Sequence, residues 1–109
     1  IRGSYEFMEL KDVKGFLEKL NQDNITFDSH FYKRSAERPI NESLIRSFLS
    51  QIDKLEKIEI GKGKDRFKLW FKMSSKYSLV LIVEIYISKD LKVISAWNSD
   101  RKWQDKLKQ

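Results

Sequence analysis

The apolar residues of this 109-residue chain change period at Leu55, and that change limits the folds open to it. Before Leu55 they recur at helical spacing. Glu9 to Gln22 places Leu10, Val13, Leu17 and Leu20 on one stripe, widened by Phe16 and weakened by Gly15, with Asn21, Asp23 and Asn24 ending the helix. Asn41 is the expected N-cap of a later helix whose apolar face is Leu44, Ile45, Phe48, Leu49 and Ile52, with Glu42 in its first turn.

From Leu55 the spacing is that of strands. Leu55 to Ile60 is a first strand, and Gly61-Lys62-Gly63-Lys64-Asp65 is a turn. Arg66 to Met73 alternates: Phe67, Leu69, Phe71 and Met73 face one way, Arg66, Lys68, Trp70 and Lys72 the other. Ser74-Ser75-Lys76 turns the chain into Tyr77 to Ile87, apolar on both faces apart from Glu84, as expected of a central strand. Ser88-Lys89-Asp90 leads into Leu91 to Trp97, and Asn98 or Ser99 can cap a last helix from Asp100 to about Leu107. Helices grouped before strands predict an α+β fold: N-terminal helices packed on one four-stranded antiparallel sheet, with a short C-terminal helix. No linker or repeat divides the chain, so one domain is expected over 1–109, with the heptad Ile1 to Phe7 given no functional weight.

Composition narrows the chemistry. The absence of cysteine removes thiolate nucleophiles, thiolate metal sites and disulfides. The longest apolar run, Leu79 to Val83, is strand-length, and residues 1–7 are too short and polar for a secretory h-region, so no membrane partner and a cytoplasmic location are expected. A net charge of +6 and a pI near 9.5 fit a polyanionic partner, nucleic acid or an acidic protein, and also fit plain solubility.

The stretch Ile25 to Leu49 concentrates unusual residues: the single histidine, two arginines at helical spacing and the single proline. With Asp28 as cap, a helix from about Ser29 to Glu37 sets His30, Arg34 and Arg38 along one face, and Pro39 stops it. An imidazole beside two guanidiniums suits a phosphodiester. The ring can take a proton from a ribose 2′-hydroxyl, and the arginines can hold phosphate with paired hydrogen bonds. A lone histidine is more commonly structural, and Glu37 reads as an ion-pair partner of Arg34 and Lys33.

On the sheet, Arg66, Lys68 and Lys72 interleaved with Trp70 form a surface on which cations track a backbone while an indole stacks a base. The alternative is an exposed face whose charges prevent edge aggregation, with Trp70 packed under a helix. The GKGK run lacks the spacing of a phosphate loop and opens a strand, so it reads as a hairpin. One histidine with scattered carboxylates gives no metal-ligand spacing, and no serine triad is evident.

The segment ITFDSHFYKRSAERPINESLIRSFL, with its Ser-His, its Glu-Arg-Pro-Ile and its polar cap before an amphipathic helix, resembles a family of small microbial proteins grouped with the RelE/ParE and BrnT toxins. Val93-Ile94-Ser95-Ala96-Trp97 is similar to the late-strand motif of that family, with one residue inserted before the aromatic. The resemblance covers about residues 25–98. It implies a RelE-like fold and a metal-independent, cofactor-free endoribonuclease cutting single-stranded RNA. Such an enzyme is neutralised by a cognate acidic antitoxin in a type II toxin-antitoxin system. By motif it implies His30, Arg34, Arg38 and Ser95 as catalytic residues, and Arg66 joins them by its place on the sheet. Lys68, Trp70, Lys72 and Trp97 are the candidate nucleic-acid contacts. A non-catalytic nucleic-acid-binding module and a ParE-like protein inhibitor are the alternatives on the same fold.

Overall fold

The computed structural model describes residues 10–35, 40–61, 66–86 and 88–100, with the backbone alone at residues 10 and 33–35. Three α-helices lie among the described residues: α1 (Leu10–Glu18), α2 (Ser29–Ser35) and α3 (Glu42–Leu49). The strands are β1 (Ile25–Phe27), β2 (Leu55–Ile60), β3 (Arg66–Lys72), β4 (Tyr77–Ile85) and β5 (Leu91–Asp100), joined in the order β1-β5-β4-β3-β2. The α+β class is as expected. The sheet is not the expected four-stranded antiparallel one. Ile25–Phe27 adds a fifth strand, paired parallel to β5 through Ile25 with Leu91 and Phe27 with Val93. Three residues are too few to show an alternation, and a partner so distant in sequence leaves no local trace.

The apolar faces read from the sequence form the core. Val13 and Leu17 of α1 and Ile45, Phe48 and Leu49 of α3 pack on Phe67, Leu69 and Phe71 of β3 and on Leu79, Leu81 and Val83 of β4. The Phe48 and Phe71 rings meet nearly edge to face, with centroids 5.9 Å apart. Each such side chain taken wholly from water contributes about 1.5–3 kcal/mol. Asn41 caps α3 as expected, its Oδ1 accepting from the Leu44 amide at 2.9 Å.

Three element ends differ from expectation. Helix α1 ends at Glu18, and Asn21 instead caps a 3-10 turn over Gln22–Asn24. Strand β4 ends at Ile85, because the Tyr86 carbonyl accepts the Lys89 amide at 2.9 Å and the chain turns there into the hairpin. Lys89 closes that hairpin with φ 75. Strand β5 continues to Asp100, pairing Asn98 with Leu79 and Ser99 with Ser78, so neither residue caps a helix. The remainder of the expected C-terminal helix lies outside the described residues, as does the expected end of α2 at Glu37. No helix among the described residues is long and apolar enough to cross a membrane.

Candidate functional site

The even-numbered side chains of β3 project from the sheet face opposite the core helices α1 and α3, and two of them, Arg66 and Lys68, line one wall of an open cavity of about 520 Å³. Arg66 and Lys68 come from β3, Glu59 and Ile60 from β2 with Gly61 just beyond, Ile82 from β4, Ile94 and Ser95 from β5, and His30 from α2. Two local features bring the last three together.

The first is a β-bulge. Ile82 pairs with Ser95 and Val83 pairs with Val93, so Ile94 is the extra residue and the β5 backbone is redirected there. The second is the start of α2. The Asp28 amide bonds the Val93 carbonyl at 2.9 Å, and its carboxylate Oδ2 accepts from the His30 amide at 3.0 Å. Asp28 therefore caps the helix and fastens it beside the bulge. Phe31 enters the core while the preceding residue, His30, stays exposed at the cavity edge.

Arg66 is held by a carboxylate. Its Nε donates to Glu84 Oε2 at 2.8 Å, across a register that pairs Arg66 directly with Glu84. Glu84 is further gripped by the Tyr86 hydroxyl. That hydroxyl is the main reason its carboxyl titrates below the usual range; burial opposes the shift and Arg66 adds to it. Only one of the five guanidinium N–H groups is used by Glu84, so the Nη groups remain as donors. Arg66 is 40% exposed and Glu84 21%. Gly61 sits tightly against Arg66: a Cβ added there would lie 3.2 Å from Arg66 Cβ and 3.3 Å from its backbone.

Beside the cavity the cations and rings interleave. The Lys68 ammonium stands 4.9 Å from the Trp70 ring centroid and 5.5 Å from that of Trp97. Trp70 is buried, its indole N–H donates to Glu59 Oε1 at 2.7 Å, and Lys57 lies 5.5 Å over its ring. It forms a floor. Trp97 is half-buried on β5, and Lys72 is exposed at the far end of β3, away from the cavity lining.

The structure thus brings His30, Arg66, Lys68 and Ser95 to one cavity, with Trp97 next to Lys68. Arg34 follows His30 by one turn on α2, but its side chain lies outside the described part, as do Glu37, Arg38 and the GKGK turn from Lys62 to Lys64. Glu59, Glu84 and Tyr86 were not singled out from the sequence as site residues. Glu84 had a signal: it and Arg66 stand equally far from Ser75, so a hairpin through Ser74-Ser75-Lys76 opposes them. Among the described residues no three His, Cys, Asp or Glu side chains gather as a metal ion requires.

The open cavity offers guanidinium and ammonium donors, a serine hydroxyl and an exposed imidazole within one nucleotide-sized space, which can hold a phosphodiester and move a proton at it. No family model matches the chain, and neither the curated proteins nor the solved structures contain a match.

Proposed function

We propose that the chain is an endoribonuclease of the toxin type, acting without a metal ion on single-stranded RNA in this cavity. The observation that carries the reading is the presence of the only imidazole in the chain, on α2, in one cavity with Arg66 and Lys68 of β3. His30 takes the proton of a ribose 2′-hydroxyl. The freed 2′-oxygen attacks the adjacent phosphorus, the bond to the 5′-oxygen breaks, and that oxygen collects a proton from water at the open mouth. The products are a 2′,3′-cyclic phosphate and a 5′-hydroxyl. Arg66, steadied through Nε by Glu84, holds the phosphate oxygens as charge develops on them, and Lys68 and the Ser95 hydroxyl support it. Arg34 and Arg38, whose side chains lie outside the described part, are assigned to phosphate binding by their place in the sequence motif alone. Trp97, with more of its ring exposed than Trp70, stacks a base, and Lys72 extends the basic track. An acidic antitoxin that covers this basic face would silence the enzyme in the cytoplasm.

The purified protein, incubated with a short single-stranded RNA in excess chelator, should yield fragments ending in 2′,3′-cyclic phosphate. His30→Ala should not cut, and a 2′-deoxy residue at the cleavage point should protect the strand. Equal cleavage by His30→Ala removes the mechanism.

One observation favours a second reading, a non-catalytic RNA-binding module. No described side chain hydrogen-bonds the imidazole of His30 to orient it, whereas most catalytic histidines are so held. That reading predicts salt-sensitive binding with the RNA recovered intact.

A further inference from the structure

One carboxylate, Glu59, stands on the wall of a cavity that otherwise presents His30, Arg66 and Lys68. A carboxylate repels phosphate, so its place in a phosphodiester site calls for a different role. Its ion-pair partner is Lys57 and not Lys68, with which it is paired in register; the Lys68 ammonium lies over the indole rings of Trp70 and Trp97. Glu59 is fixed in direction. Its Oε1 accepts the Trp70 indole N–H at 2.7 Å, and its Oε2 is 3.6 Å from Lys57 Nζ. A carboxylate has about four acceptor positions, so both oxygens keep lone pairs free for a ligand. The neighbouring wall, Ile60 and Ile82, is apolar and suits the flat faces of a heterocycle.

We infer that Glu59 reads the base of the bound nucleotide and selects guanine. An ionised carboxylate accepts hydrogen bonds and donates none, so it favours a base edge that shows donors side by side. Guanine offers N1–H and the N2 amino group together. Adenine and cytosine each set an acceptor nitrogen beside their amino group, and uracil sets two carbonyls around its one N–H, so each turns an acceptor toward the carboxylate. The phosphate stays with Arg66, Lys68 and His30, and the base lies toward Glu59 and the isoleucines. This assignment rests on the RNA reading of the cavity, and it names the nucleotide which that cavity takes.

The test uses fluorescein-labelled 2′-O-methyl tetranucleotides, which cannot be cut, differing at one base, with binding followed by anisotropy. The guanine oligomer should bind about tenfold or more tightly than the adenine, cytosine and uracil ones. Replacing guanine by inosine, which lacks the N2 amino group, should lose most of that preference. Glu59→Gln keeps an oxygen for Trp70 but turns one acceptor into a donor, and it should level the four affinities. The inosine comparison needs no protein variant, so it decides the matter even if Glu59→Gln fails to fold. Equal binding of all four oligomers overturns the inference, whether or not ordinary RNA is cut. Guanine preference without cleavage leaves the inference standing and removes the nuclease. Failure to bind any oligomer overturns both.

Discussion

The two faces of strand β3 differ in what kind of contact they make. Phe67, Leu69 and Phe71 are 3%, 0% and 0% exposed against the helices, in a packed core where contacts are many and non-directional. Arg66, Lys68 and Trp70, one residue out of step, meet Glu84, two indole rings and Glu59 through a few contacts at defined atoms. Loss on the first face is shared among neighbours and appears as stability. Loss on the second falls on one partner and should appear mainly as altered binding and chemistry.

The largest effect should come from the packed face. Leu69→Ala removes a fully buried side chain and should cost about 2–5 kcal/mol, read as a lowered midpoint in urea unfolding. An unchanged midpoint would break the comparison at its stronger end. On the polar face, His30→Ala should leave the midpoint within experimental scatter, since the residue is exposed, while slowing RNA cleavage by about 10²–10⁴-fold. A drop in stability of the same size as the core variant would show that the imidazole is a structural residue.

Asn41→Ala tests the start of α3, the helix that packs on the apolar face of β3. It removes the acceptor for the Leu44 amide and should cost about 1 kcal/mol without touching cleavage.

The smallest effect concerns Glu84 and is a matter of sign. Its folded carboxyl titrates low, chiefly because of the Tyr86 hydroxyl, so the unfolded chain binds its proton at higher pH than the folded one. The stabilisation is therefore complete above the ordinary carboxylate range and disappears as the pH falls through the folded value. Glu84→Gln should be slightly less stable than the parent at neutral pH, and the gap should close on acidification. A gap that widens toward acid would contradict the placement of Tyr86 and Arg66 around this carboxylate. RNA affinity should fall as well, since the neutral amide has one oxygen for the two donors Arg66 and Tyr86 and holds the guanidinium less firmly.

Much of the fold was legible because burial imposes a period. The alternation in Arg66 to Met73, the face of the helix after Asn41 and the bounds of Leu55 to Ile60 each follow from residues close in sequence. Strand β1 was not legible as part of the sheet, because nothing in Ile25, Thr26 and Phe27 announces Leu91, Lys92 and Val93 as partners. The candidate site divides in the same way. His30 stood out as the single histidine behind a capping aspartate, and Arg66 and Lys68 as cations out of phase with an apolar stripe. Glu59 looked like one more strand carboxylate until the register of β2 against β3 set it on the same cavity wall.

The amino-acid order alone determined which residues leave water, since hydrophobic burial depends on spacing along a helix or strand and little on what lies opposite. Only the tertiary structure decided which polar groups meet. Hydrogen bonds and ion pairs act over a few ångströms between atoms far apart in the chain, so the parallel pairing of β1, the bulge at Ile94 and the hold of Glu84 on Arg66 exist only once strand register is set.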